Sequence, residues 1–100
     1  MKFLLVTQEV CPRCDRAKKL LREVQREVSF EWEEVDMYEM LDTFTYLGIA
    51  TTPVLLLEDE DEDYTEEHIL FMGELPRKWR LKEIIESYIE KYAEPEREAV

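Results

Sequence analysis

Several residue types are scarce in this 100-residue chain, which contains no asparagine and only two glycines and two cysteines. Small secreted scaffolds held together by disulfides usually need four or more cysteines, so this class of protein is excluded. The apolar run from Phe3 to Val6 is too short for the core of a signal peptide or for a membrane span. We therefore expect a cytoplasmic protein that does not contact membranes.

Basic residues are also in the minority, with 13 lysines and arginines against 25 acidic residues and a net charge of −12. Such a chain repels phosphate backbones and anionic lipids, so nucleic acid and membrane surfaces are poor candidate partners. A scarcity of amide side chains beside nineteen glutamates is typical of heat-adapted proteins. The 45% hydrophobic content and the length predict one globular domain, over residues 1–92. We expect a flexible tail over residues 93–100, and a monomer.

Hydrophobic patterns predict seven elements in the order βαβαββα. The strands are expected at Lys2–Thr7, Phe30–Asp36, Val54–Leu57 and His68–Met72. The helices are expected at about Pro12–Val28, Met37–Leu47 and Pro76–Tyr92, with Gly48 as a left-handed cap. A crossover through a helix makes the first two strands parallel, and the last two form an antiparallel hairpin around an acidic turn.

Two cysteines, Cys11 and Cys14, stand where the first strand gives way to the first helix. Free backbone N–H groups and the helix dipole at that position favour the thiolate, and Arg13 adds positive charge. We expect these effects to lower the pKa of Cys11, while Cys14 lies deeper, in position to attack a mixed disulfide on Cys11. The spacing also suits half of a zinc site, with His68 as one further ligand, or two unrelated buried cysteines.

A family resemblance favours the redox interpretation. The segment Val6-Thr-Gln-Glu-Val-Cys-Pro-Arg-Cys-Asp-Arg-Ala-Lys-Lys-Leu-Leu21 resembles the active-site segment of glutaredoxins. Gly48-Ile-Ala-Thr-Thr-Pro-Val-Leu-Leu-Leu57 is similar to the cis-proline segment shared by thioredoxins and glutaredoxins, and Phe71-Met-Gly73 matches the family's last strand. The resemblance implies the thioredoxin fold, an α/β architecture with a four-stranded mixed sheet flanked by three helices.

The resemblance also implies a function, that of a thiol–disulfide oxidoreductase without a metal or organic cofactor. Cys11 would be the nucleophile and Cys14 the resolving thiol, a cis peptide would join Thr52 to Pro53, and Pro12, Arg13, Thr52 and Pro53 would contact the substrate. Expected partners are proteins that carry disulfides and a reductant, either of the thioredoxin-reductase type or glutathione. The alternative is a module in which Cys11 thiolates of two chains share a metal or an iron–sulfur cluster.

Two departures from the glutaredoxin pattern concern glutathione. Gln8 stands where glutaredoxins usually have a lysine or arginine, and Gly73 is followed by Glu74 where they usually have a glycine pair and an aspartate. Since these positions grip glutathione in the family, we expect an oxidoreductase that does not depend on glutathione.

Three further patterns predict local structure. The acidic run Glu58 to Asp63 is expected to be a solvated hairpin tip, because it lacks the glycine and the spacing of a calcium loop. Trp32 and Trp79 are expected to pack against the sheet. On the first helix, Asp15 and Lys19 have the spacing of an i,i+4 ion pair.

Overall fold

A computed structural model describes residues 2–59, 61 and 63–93 of the chain. It contains four strands, β1 (Lys2–Thr7), β2 (Glu31–Asp36), β3 (Val54–Leu57) and β4 (Ile69–Met72). The three α-helices are α1 (Pro12–Gln25), α2 (Leu41–Leu47) and α3 (Lys78–Ala93), and 3₁₀ turns occupy Met37–Met40 and Glu66–His68. The predicted tail, residues 93–100, lies outside the described residues except for Ala93.

The strands form one mixed sheet in the order β2-β1-β3-β4. β1 pairs in parallel with β2 and antiparallel with β3, and β3 pairs antiparallel with β4. Both predicted strand orientations are therefore confirmed, as is the four-stranded mixed sheet. Among the described helices, none is long and apolar enough to cross a membrane.

Side chains of β1 alternate between two cores, one on each face of the sheet. Phe3 and Leu5 pack on one face with apolar residues of α1 and α3, and Leu4 and Val6 pack on the other face with Phe44 of α2. This double burial explains why β1 and β3 are continuous apolar runs, since each strand is covered on both sides. The sheet thus lies between helices, and β1 ends and β3 begins at the side of the sheet that carries the two cysteines.

Six predicted element boundaries are wrong by one to four residues. The second helix begins at Leu41 rather than Met37, because the Asp36 side chain accepts from the Tyr38 N–H and Met37–Met40 form a 3₁₀ turn. The first helix ends at Gln25 rather than Val28, because the Val24 carbonyl accepts from both Glu27 and Val28 and closes the helix with a turn. The second strand begins at Glu31 rather than Phe30.

The other three boundaries concern β4 and α3, and the last of them is the end of α3, at Ala93 rather than Tyr92. β4 begins after His68, whose Nδ1 accepts from the Thr65 backbone N–H at 3.0 Å and so holds His68 in a 3₁₀ turn. α3 begins at Lys78 rather than Pro76, because the Arg77 carbonyl accepts the first helical hydrogen bonds. Gly48 caps α2 with φ of 72°, as predicted.

Two side-chain predictions on the surface are also wrong. Asp15 pairs with Lys18, at 3.5 Å, and not with Lys19. Trp79 is 63% exposed, since it lies in the first turn of α3, whereas Trp32 packs against the core as predicted.

Candidate redox site

The site is built where β1 ends and α1 begins. Val10 has φ of 49° and is almost fully exposed. A left-handed conformation costs a β-branched residue roughly 1–2 kcal/mol, and no burial of Val10 offsets that cost. The strained residue turns the chain immediately before Cys11, which is where functional sites commonly hold strain.

Cys11 is the N-cap residue of α1. Its backbone is extended, and its Sγ accepts a hydrogen bond from the Cys14 backbone N–H at 3.2 Å. Pro12 follows at the first helical position, where a missing N–H leaves no bond unmade. A sulfur in this position receives both the free N–H group and the positive end of the helix dipole, which stabilise negative charge on it.

The two cysteines differ in accessibility. Cys11 and Cys14 form a disulfide, with their Cα atoms 5.2 Å apart. Cys14 is 1% exposed, because it points from α1 towards the core, while Cys11 is partly exposed. A partner molecule that approaches from solvent therefore meets Cys11 first.

The loop before β3 brings Thr52 and Pro53 to the same place. The peptide bond between them is cis, as the resemblance implied, and both residues are buried. The Thr52 hydroxyl lies 3.8 Å from Cys11 Sγ. The structure thus brings together Cys11, Cys14, Thr52 and Pro53, and Pro12 and Arg13 lie exposed between the two cysteines.

Gly73 is a site residue whose role the sequence alone left unidentified. Its N–H donates to the Pro53 carbonyl at 2.7 Å, and its φ is 81°. Gly73, which follows β4, thereby holds the loop that contains Thr52 and Pro53, called the proline loop below. The signal for this was the scarcity of glycine, since one of only two glycines in the chain occupies this position.

A polar network lies on the same side of the sheet as α1. Glu34 Oε2 accepts from the Thr7 hydroxyl at 2.7 Å and lies 3.3 Å from Lys18 Nζ. The Thr7 hydrogen bond lowers the pKa of Glu34 most, and the Lys18 ammonium lowers it further. The network therefore ties the end of β1 to α1 one turn beyond Cys14.

No metal centre is evident among the described residues, which contain no group of three or more histidine, cysteine or acidic side chains placed to hold a metal ion. His68, the one further candidate ligand in the sequence, lies in the 3₁₀ turn beside Thr65, and its ring packs edge to face against Tyr64.

Comparisons with known proteins agree with this architecture. The family model described as "Glutaredoxin-like domain (DUF836)" matches residues 2–90. Among curated proteins, none matches the sequence. Solved structures show the fold: thioredoxin 1 from the thermophilic eubacterium Thermosipho africanus TCF52B is 16% identical, with a TM-score of 0.61 over 94% of this chain and 100% of that chain.

Two further solved structures are similar. The oxidised thioredoxin from Plasmodium falciparum is 18% identical, with a TM-score of 0.55 over 87% of this chain and 79% of that chain. A malarial protein is 13% identical, with a TM-score of 0.58 over 86% of this chain and 93% of that chain. The likeness establishes the thioredoxin fold.

Proposed function

The chain belongs to the glutaredoxin-like domain family, and on that premise we propose that it is a protein-disulfide reductase that works through its Cys11–Cys14 dithiol. The observation that carries the proposal is the unequal exposure of the two cysteines, with a partly exposed Cys11 bonded to a buried Cys14. An accessible nucleophile backed by a shielded second thiol is the arrangement that thiol–disulfide exchange requires.

The reaction proceeds through two exchanges. The Cys11 thiolate attacks one sulfur of a substrate disulfide, so that the substrate S–S bond breaks, a mixed disulfide forms and the leaving thiolate takes a proton from solvent. The Cys14 thiolate then attacks Cys11 Sγ, releases the second substrate thiol and leaves the Cys11–Cys14 disulfide. Two electrons pass from the dithiol to the substrate, and an external dithiol returns them.

The surroundings of Cys11 support its role as the first nucleophile. The Cys14 N–H at 3.2 Å and the Thr52 hydroxyl at 3.8 Å both lie near Cys11 Sγ. Donors at these positions stabilise the sulfur when it carries negative charge, both as attacking thiolate and as leaving group from the mixed disulfide.

Four residues beside the dithiol are assigned to substrate contact, of which Pro12 and Arg13 are exposed and Thr52 and Pro53 are buried. Pro12 and Arg13 project from the start of α1, and the segment of Thr52 and Pro53 faces Cys11. An extended substrate chain would pair with the backbone of this segment as an added strand does with a sheet edge.

The reductant is proposed to be of the thioredoxin-reductase type rather than glutathione. Gln8 carries no charge to meet a glutathione carboxylate, and its amide donates instead to Met37 Sδ at 2.9 Å. Glu74 follows Gly73 where the glutaredoxins that bind glutathione usually have a second glycine and an aspartate. We propose that the protein acts in the cytoplasm.

Single serine variants test the mechanism on a protein disulfide such as insulin, with dithiothreitol as terminal reductant. Cys11→Ser is expected to abolish turnover, and Cys14→Ser is expected to accumulate a covalent complex with substrate that mass spectrometry detects. Free turnover by Cys14→Ser, or a mixed disulfide trapped on Cys14 in the Cys11→Ser variant, contradicts the assigned roles.

A further inference from the structure

A groove runs along α1 beside the dithiol. It has a volume of about 390 Å³, within the range of pockets that bind ligands. One wall is α1, and the other is formed by Glu74 and Leu75, which follow the glycine anchored to the proline loop. The groove therefore adjoins the site at which a substrate disulfide would react.

Positive charge lines this groove in a protein whose net charge is −12. Arg13, Arg16 and Lys19 lie along one stripe of α1 and all face the cavity. Within the part of the chain that the structure describes, none of these three cations forms an ion pair or a side-chain hydrogen bond, whereas Lys18 on the same helix pairs with Asp15 and Glu34. The cations of the groove are thus available to a partner.

The groove also has an apolar component. Ala17 and Leu20 of α1 and Leu75 of the opposite wall line the cavity between the charged side chains. Leu20 and Leu75 are only partly buried, so an apolar side chain of a partner could cover them. Glu23 and Glu74 are the two carboxylates of the lining, and they leave the cations in excess.

We propose that this groove docks an acidic polypeptide segment of the disulfide-bearing substrate, with carboxylates on Arg16 and Lys19 and an apolar side chain over Leu20 and Leu75. The proposal rests on the proposed reductase function and names the class of substrate. Charge complementarity selects this occupant, since a basic segment would meet unpaired cations. Arg13 lies between the two cysteines, so a segment in the groove would hold its disulfide close to Cys11.

The preference of the groove for acidic segments depends on ionic strength. At 0.15 M salt the Debye length is about 8 Å, so the groove cations act on a docked segment while the more distant acidic surface is screened. At 1 M salt the Debye length falls to about 3 Å and the local attraction is screened as well. The preference for acidic segments is therefore expected at 0.15 M and is expected to disappear at 1 M.

The test compares three peptides of equal length, each with one internal disulfide flanked by glutamate, glutamine or lysine residues. At 0.15 M salt the wild-type protein is expected to reduce the glutamate peptide with a kcat/KM about tenfold above that of the glutamine peptide. Arg16→Gln/Lys19→Gln is expected to bring that ratio close to one. Arg22→Gln/Arg26→Gln removes the same charge from the last turn and the C-cap of α1, outside the groove, and is expected to keep the wild-type ratio.

A second readout separates docking from chemistry. A dye-labelled glutamate peptide without cysteine is expected to bind the oxidised protein in fluorescence anisotropy, and Arg16→Gln/Lys19→Gln is expected to weaken that binding about tenfold. Binding without any turnover would support docking in the groove and contradict the proposed reductase function. Equal rates on all three peptides would contradict the proposal that the groove docks an acidic segment. An acidic preference that both double variants lose to the same extent would contradict it as well. In either case, turnover of the glutamine peptide would still support the reductase function.

Discussion

The hydroxyl oxygen of Thr52 lies 3.8 Å from Cys11 Sγ, although 41 positions separate the two residues in sequence. Strand pairing explains this proximity, since Val6 of β1 lies opposite Val54 of β3 in the antiparallel register. The loop that follows β1 and the loop that precedes β3 therefore meet at one end of the sheet. The sheet register, more than any local sequence feature, assembles the redox site.

Removal of the Thr52 hydroxyl tests its effect on Cys11, the proposed nucleophile. Thr52→Val keeps the shape of the buried side chain but removes the donor near Cys11 Sγ. A hydrogen bond to a charged group contributes about 1.5–3 kcal/mol when buried, and at 3.8 Å we expect about 1 kcal/mol, a roughly fivefold slower alkylation of Cys11 at pH 7. Peptide mapping after timed iodoacetamide treatment of the reduced protein measures this rate.

Thr51→Val is the matched control, because it removes a hydroxyl from the adjacent position. It is expected to alkylate at the wild-type rate. A wild-type rate for Thr52→Val, or an equal slowing in both variants, would show that the Thr52 hydroxyl does not act on Cys11.

The hydrogen bond from Gly73 to the loop that contains Pro53 is tested by comparing alanine variants of the two glycines in the chain. Gly48 and Gly73 have φ of 72° and 81°, and a Cβ at either position would meet no atom closer than 4.0 Å. Alanine at either position is therefore expected to cost about 1 kcal/mol through backbone conformation alone. Urea unfolding measures this loss.

Only Gly73→Ala is expected to slow disulfide exchange as well, by roughly threefold to tenfold. Its N–H fixes the Pro53 carbonyl at 2.7 Å, and a shift of its backbone would move the loop that carries Thr52. If Gly48→Ala slows exchange to the same extent, the anchor has no specific role and the loss reflects general destabilisation.

Glu34 is expected to make stability depend on pH in the acid range. Its hydrogen bond from Thr7, with Lys18 nearby, lowers its pKa in the folded protein below that of the unfolded chain. The stabilisation is therefore present above the ordinary glutamate pKa and is lost as the pH falls through the lowered value. Because the carboxylate is 44% exposed, solvent screening limits the contribution to about 1 kcal/mol or less.

Glu34→Gln provides the measurement. The variant is expected to be less stable than wild type at pH 7, with the difference shrinking as the pH is lowered below 4, when urea midpoints are compared. Glu31→Gln, an exposed neighbour in β2 outside any ion pair of the described residues, is the control for loss of one surface charge. A difference for Glu34→Gln that stays constant with pH would contradict the assignment.

Two positions in α3 test which face of that helix is in the core. Leu81 is completely buried between α3 and the sheet, so Leu81→Ala is expected to cost about 3 kcal/mol of unfolding free energy. Trp79 is 63% exposed despite its size, and Trp79→Ala is expected to change stability by less than about 0.5 kcal/mol. A large loss for Trp79→Ala would mean that the start of α3 packs differently.

Sequence patterns predicted element boundaries best for strands that are buried on both faces. β1 and β3 were predicted to the residue, because each is a short apolar run covered on both faces. The C-terminal end of α1 and the start of β4 could not be predicted as well, since the Val24 carbonyl and the His68 ring determine them. The prediction that Trp79 packs against the sheet is wrong, because this side chain lies in the first turn of α3 and is 63% exposed.

The site was predicted from the positions of the two cysteines and from the family resemblance. The position of Cys11 and Cys14 at a helix start was visible in the sequence, whereas the cis bond before Pro53 followed from the family resemblance and agrees with the structure. The contact from Thr52 to Cys11 and the anchor from Gly73 depend on how distant segments meet. Those contacts require the strand register, which a local pattern does not contain.

The most direct test of the account is the redox equilibrium of the Cys11–Cys14 pair, measured by thiol trapping and mass spectrometry across a series of dithiol buffers. A single reversible two-electron transition between roughly −180 and −280 mV is expected, the range of thiol–disulfide carriers. If the two cysteines form no intramolecular disulfide in any buffer, or if trapping succeeds only after a metal is chelated, the exchange mechanism is wrong.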